Sequence, residues 1–133
     1  MKKTNLSSAK KKAWAALSLW IRTKDSKDGY CTCVTCGWTG PISTMHAGHF
    51  IRKSRGAAIY FEEKNINVQC EQCNVNLGGN PDEYYSYMLR THGQDWIEML
   101  ESLSRIIVRD RTADYEKIES LFKEKLKKFN EAN

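Results

Sequence analysis

The chain has no run of 18 or more apolar residues, which excludes a membrane-spanning helix and leaves no role for a membrane. Its opening, Met1-Lys2-Lys3-Thr4-Asn5, leads into a charged segment without the apolar centre of a secretory signal, so the cytoplasm is the expected location. No internal repeat and no low-complexity linker breaks the sequence, and 133 residues read as a single domain, 1–133. A chain of that length buries a modest core, which a structural metal would help to hold. Acidic residues are in the minority, 16 against 21 Lys and Arg for a net charge of +5, and this balance favours a polyanionic partner such as nucleic acid.

Cysteines are few, but their spacing is informative. Cys33/Cys36 and Cys70/Cys73 are two x₂-spaced pairs, and such pairs form tight knuckles that present both sulfurs to one tetrahedral Zn²⁺. In a reducing compartment four paired thiols read as zinc ligands before disulfides. Cys31 is left over; it could replace Cys33 only through a looser x₄ spacing and is therefore read as a non-ligand. The segment from Gly37 to Gln69 is roughly twice the spacer of about 15–20 residues usual in a zinc ribbon. It carries His46 and His49, the basic Arg52-Lys53-Ser54-Arg55, and Asn65-Ile66-Asn67, more chemistry than a spacer requires. Lys10–Lys12, Arg105–Arg111 and Lys123–Lys128 are further basic clusters, equally well read as solvated helix faces.

Three regions are expected: an N-terminal helix within 1–28, a zinc-held core over 29–80, and C-terminal helices over 81–133. Ser7 or Ser8 can cap the first helix, with Trp14, Leu17, Trp20 and Ile21 on one face. Tyr30 to Val34 reads as extended, and Ala47 to Ile51 and Ala58 to Phe61 as two short strands making a hairpin through the basic segment. A brief helix from Asn74 should stop at Gly78-Gly79. Asn80 and Pro81 then start a helix as N-cap and first-turn residue, and Asp95 caps another over Trp96 to Leu103. Arg105 to Arg111 fits either an extended or a helical form, and Thr112 to Phe129 repeats apolar residues at helical spacing, a final helix able to pack on the first.

Cutting a phosphodiester requires an activated water, a cation on the phosphate, and a grip on the strand. His49 suits the base, since imidazole accepts a proton near neutrality, although a lone His satisfied by a backbone carbonyl is the common alternative. Arg52, Lys53 and Arg55 would meet DNA phosphates and fix position without reading sequence. Trp38 and Tyr60 could stack on bases, although as aromatics they belong more often to a core. His92, at a helix end before Gly93, is left out of the site.

His49, Asn65 and Asn74, ordered around a Cys-x-x-Cys knuckle, resemble the motif of the HNH endonucleases, in which two strands and a helix grip one catalytic metal and a separate zinc is structural. Asp28-Gly29-Tyr30, Cys33-Val34-Thr35-Cys36-Gly37, His46-Ala47-Gly48-His49-Phe50, Gln69-Cys70-Glu71-Gln72-Cys73-Asn74 and Gly79-Asn80 occur in the order found in the phage NinG/Rap recombination nucleases, and this closer likeness covers about Trp14 to Trp96. The resemblance implies an α+β fold, a small zinc-stapled ββα-metal hairpin flanked by N- and C-terminal helices. It implies His49 as general base, Asn65 as the loop amide that steadies it, and Asn74 with His46 as ligands of a catalytic Mg²⁺ or Mn²⁺. One departure stands out: many HNH enzymes place an acidic or His ligand directly before the base, where this chain has Gly48. On a regular strand His46 would point opposite to His49, and a bulge could re-aim it.

The expected function is a metal-dependent endonuclease acting on branched or single-stranded DNA, in the host cytoplasm if phage-encoded, with recombination proteins and a second copy of the chain as further partners. The alternative is a non-catalytic zinc-containing module that binds DNA or a recombination partner. A purely structural protein-interaction domain is a third reading, and predicts DNA affinity that is nearly flat with salt.

Overall fold

A computed structural model describes residues 5–52, 57–108 and 111–132. The chain is α+β, two small two-stranded sheets set among helices. Helix α1 runs from Leu6 to Lys24, and its N-cap is Asn5, whose side chain accepts from the Ser8 amide at 2.7 Å, rather than Ser7 or Ser8. Its fully buried stripe is Ala9, Ala13, Ala16, Leu17 and Ile21, with Trp14 and Trp20 half-buried at the margins. The small residues matter because α1 is approached twice. The final helix α5, Thr112–Ala132, lies along it with Tyr115 against Ala9 and Ala13, and the hairpin described below crosses it.

Strands β1 (Tyr30–Thr32) and β2 (Thr39–Pro41) pair antiparallel around the first cysteine knuckle, where Gly37 has φ of 82°, a turn that glycine adopts without strain. Strand β3 (His46–His49) pairs antiparallel with β4 (Ile66–Gln69), His46 opposite Gln69 and His49 opposite Ile66. The second strand of this hairpin is thus not Ala58 to Phe61. That region holds a helical turn, α2 (Ala57–Tyr60), consistent with the helix preference of alanine. The true partner hides its alternation at Asn67, a residue type depleted in strands, while Ile66 and Val68 are buried as an inward face requires.

Ala47, Ile66 and Val68 join Leu17 and Ile21 of α1, Phe122 of α5 and three of the paired cysteines in one core. Burying aliphatic side chains such as Leu17 and Ile21 stabilises by about 1.5–3 kcal/mol each. Glu63, just before β4, fastens this assembly from outside. Its carboxylate accepts from Trp20 Nε1 and Lys125 Nζ, both at 2.9 Å, and lies 3.7 Å from Lys24 Nζ. Burial raises its pKa, but these donors outweigh burial and hold it below the usual carboxylate range.

A second core forms where α3 (Pro81–His92) and α4 (Gln94–Ser104) meet α2, through Ile59, Tyr84, Met88, Ile97 and Leu100. Helix α4 begins at Gln94, directly after Gly93 at φ 90°, so Asp95 falls inside its first turn and does not cap it. Asn80 stands at the N-cap of α3 but makes no capping bond; its Nδ2 instead faces Cys73 Sγ at 3.5 Å. Arg105 to Val108 leave α4 in a turn and irregular chain. Among the described residues no helix is long and apolar enough to cross a membrane.

Candidate functional site

The four cysteines of the two knuckles converge. The sulfurs of Cys33, Cys36, Cys70 and Cys73 all lie within 4.8 Å of one another, with Cys36 and Cys70 at 3.6 Å. Four sulfurs about 2.3 Å from a tetrahedral zinc would stand about 3.8 Å apart, so the cluster is already shaped for the ion. The electrostatics agree. Burial opposes the Cys33 thiolate, but the Thr35 hydroxyl and amides of Cys70, Thr35 and Cys36 bring it down to about 6. Although the Trp38 amide favours a Cys36 thiolate, burial and the three neighbouring sulfurs push Cys36 up to about 12. Four such groups deprotonate together only around a cation, and these four could bind a metal such as zinc. Cys31 is buried in the core outside the cluster.

Beside this staple, β3 and the chain after Cys73 form one side of a cavity of about 740 Å³, with α1 on the other. His46, His49 and Asn74 all line it. The strand register is unbroken through His46 to His49, so no bulge turns His46, yet both residues line the one cavity. Asn74 does not open a helix but sits within a π-helical turn, Gln72–Asn76, and its Nδ2 donates to His46 Nδ1 at 2.9 Å.

His49 is held on two sides. Its Nε2 donates to the Tyr60 carbonyl at 2.9 Å, and its ring stacks on Trp14 with centroids 4.9 Å apart. The first contact fixes the neutral tautomer, with the lone pair on Nδ1. The Tyr60 carbonyl is set in turn by the excursion between β3 and β4, which Asn65 closes. Fully buried, Asn65 accepts from the Ile51 amide at 2.9 Å and donates to the carbonyls of Ile51 at 3.1 Å and Ile59 at 3.4 Å. Arg52 lines the cavity and is exposed, whereas Lys53 and Arg55 lie outside the described residues. Trp38 is half exposed and packs over Gly40, away from the cavity; Tyr60 lines it.

Gly48 has a structural cause. The buried Gln69 side chain lies across it, so that a Cβ at position 48 would overlap Gln69 Oε1, stand 2.8 Å from Gln69 Cδ and 3.1 Å from Asn74 Oδ1. Gln69 Nε2 donates to the Gly79 carbonyl at 2.8 Å and to Thr35 Oγ1 at 3.2 Å, while Oε1 has no hydrogen-bond partner among the described residues. Tyr84 reinforces the same point from below, its hydroxyl donating to the Gly48 carbonyl at 2.7 Å. Sequence reasoning missed Gln69, Trp14 and Arg22. A signal for the last two existed: Trp14, Ser18 and Arg22 recur every fourth residue, a stripe along α1, and all three line the cavity.

A four-cysteine cluster stapling a short hairpin, next to a cavity with two histidines and an asparagine, defines an α+β protein with a candidate metal centre. The chain belongs to a phage family: residues 1–132 match the family model described as Bacteriophage Lambda NinG protein. "Protein ninG" of Escherichia phage 933W is 30% identical over 92 residues, covering 69% of this chain and 44% of that protein. Its counterpart in Escherichia phage lambda is 30% identical with 43% of its length covered, and that of Salmonella phage P22 is 29% identical with 43% covered. The aligned segment thus spans less than half the length of these curated relatives. No solved structure matches the chain.

Proposed function

We propose that the chain is an HNH-type, metal-dependent DNA endonuclease that hydrolyses phosphodiesters in branched or single-stranded recombination DNA. The observation that carries this reading is the joining of His49, with its tautomer fixed, to the Asn74–His46 pair in one cavity. The order of hairpin, cysteine knuckle and helical turn supports it, as does the zinc-ready cluster that ties the turn to the first knuckle.

In this mechanism His49 Nδ1 takes the proton of the attacking water, while the Tyr60 carbonyl stabilises the imidazolium that forms. Trp14 holds the ring plane, and Asn65 holds the chain that presents Tyr60. His46 through a ring nitrogen and Asn74 through its amide oxygen would hold Mg²⁺ or Mn²⁺, the Asn74 amide turning from its hydrogen bond to His46 to do so. When bound, that ion supplies charge stabilisation at the phosphate and leaving oxygen. The cysteine cluster holds structural zinc and takes no part in the chemistry.

The test is cleavage of single-stranded, duplex and four-way-branched DNA by zinc-loaded protein with Mg²⁺, with Mn²⁺, or with neither, beside His49→Ala. Metal-dependent cutting that disappears in a folded, zinc-retaining His49→Ala is expected. Equal cutting by that variant refutes the role of His49. A second reading, a non-catalytic zinc module that binds DNA or a recombination partner, is favoured by the lack of any carboxylate in the described cavity wall. Tight DNA binding without cutting under any of these conditions would establish it.

A further inference from the structure

The α1 wall of the cavity carries a cation that motif matching does not reach. Arg22 is half-buried; its Nε donates to the carbonyl and hydroxyl of Ser18, both at 3.2 Å, and its Nη1 to the Ile42 carbonyl at 2.9 Å. These bonds engage Nε–H and one Nη1–H of five N–H groups, and fix the plane of the fork. The remaining three have no protein partner among the described residues. Of the other part-buried cations, Lys24 and Lys125 pair with Glu63 and Lys10 lies over the Tyr60 ring, whereas among the described residues Arg22 makes no ion pair with a carboxylate, and the described wall of its cavity contains no Asp or Glu. Burial disfavours its charge more than the neighbouring Cys31 favours it, yet a guanidinium remains protonated at neutral pH, and burial keeps the Cys31 thiol from ionising to balance it. A desolvated, oriented cation without a carboxylate partner is stabilised by an incoming anion, and a planar fork matches two oxygens of a phosphate.

We infer that Arg22 is the phosphate-holding residue of this cavity, a guanidinium preset on α1 that grips a DNA phosphodiester facing His46, His49 and Asn74. The inference rests on the nuclease reading above and gives α1 a role in binding substrate. It also locates the anion grip inside the cavity, where the exposed Arg52 contributes at the rim.

The test is binding of fluorescently labelled four-way-branched and duplex DNA, with no divalent ion added, over a range of NaCl concentrations. Arg22→Met should weaken binding about tenfold, alike on both DNAs, and lower the slope of log affinity against log salt by about one phosphate contact. Arg22→Lys should restore the slope but not the full affinity, because an ammonium lacks the fork. If wild type binds no DNA, the nuclease reading fails and takes this inference with it. If wild type binds and a folded Arg22→Met has the same affinity and slope, only the assignment of Arg22 is overturned. Should Arg22→Met lose its cooperative thermal transition, the nitrogen-15 resonance of Arg22 Nε in wild type decides instead. A saturable shift on adding the same DNA supports the contact, and an unmoved resonance overturns it.

Discussion

Gly48→Ala tests the packing that explains why a glycine precedes His49. The new methyl would overlap Gln69 Oε1 and stand 2.8 Å from Cδ, so Gln69 must move. It has nowhere open to go: Gln69 is fully buried, and its amide is tied to Gly79 and Thr35. Breaking those two hydrogen bonds costs about 1 kcal/mol each, and forcing a methyl into a packed interior adds roughly 1–3 kcal/mol. The expected loss is therefore ~3–5 kcal/mol, a fall in Tm of roughly 10–20 °C for a domain of this size. The assay is thermal and urea unfolding of zinc-loaded wild type, Gly48→Ala, Gln69→Ala and the double variant. The double variant should lose less than the sum of the singles, because the clash disappears with the Gln69 side chain. A loss below about 0.5 kcal/mol in Gly48→Ala, or strictly additive singles, would refute the account. It would also mean that an acidic ligand could stand before His49 without rebuilding the strand beside it.

Zinc content separates the five cysteines: Cys36→Ser should lower bound zinc per chain and its Tm, whereas Cys31→Ser, which changes a core thiol outside the cluster, should keep the wild-type metal content by elemental analysis. Zinc loss in Cys31→Ser would put that residue among the ligands. Asn65→Ala removes a buried amide with three hydrogen bonds and leaves Ile51 and Ile59 groups unpaired, for a predicted ~2–4 kcal/mol by urea unfolding; a loss under about 1 kcal/mol would show that the excursion closes without it.

The elements legible in the sequence are those with a local cause. The spacing of Cys33/Cys36 and Cys70/Cys73 pointed to a converging cluster because two x₂ knuckles can satisfy one tetrahedron in few ways. Helices α1 and α5 followed from apolar periodicity, and α3 and α4 from the start signals Asn80-Pro81 and Asp95, with shifts of a few residues at their ends. The second hairpin strand was not legible. Ile66 and Val68 turn inward only because α1 and α5 cover that face, and the asparagine between them masks the pattern locally. Nor was the convergence of His46 and His49, which strict alternation would separate.

By itself, then, the sequence determined the zinc-ready cysteines, the helical frame, the basic character and the candidates His46, His49, Asn65 and Asn74. The cysteines, helices and charge depend on residue type and local spacing, whereas His46, Asn65 and Asn74 stood out through the resemblance of their order to known motifs. Only the tertiary structure decided that Trp14 stacks on His49, that Tyr60 fixes its tautomer, that Gln69 fills the space at Gly48, and that Arg22 enters the same cavity from α1. Those contacts join segments far apart along the chain, and their geometry is set by packing of the helix against the hairpin, which no local pattern encodes.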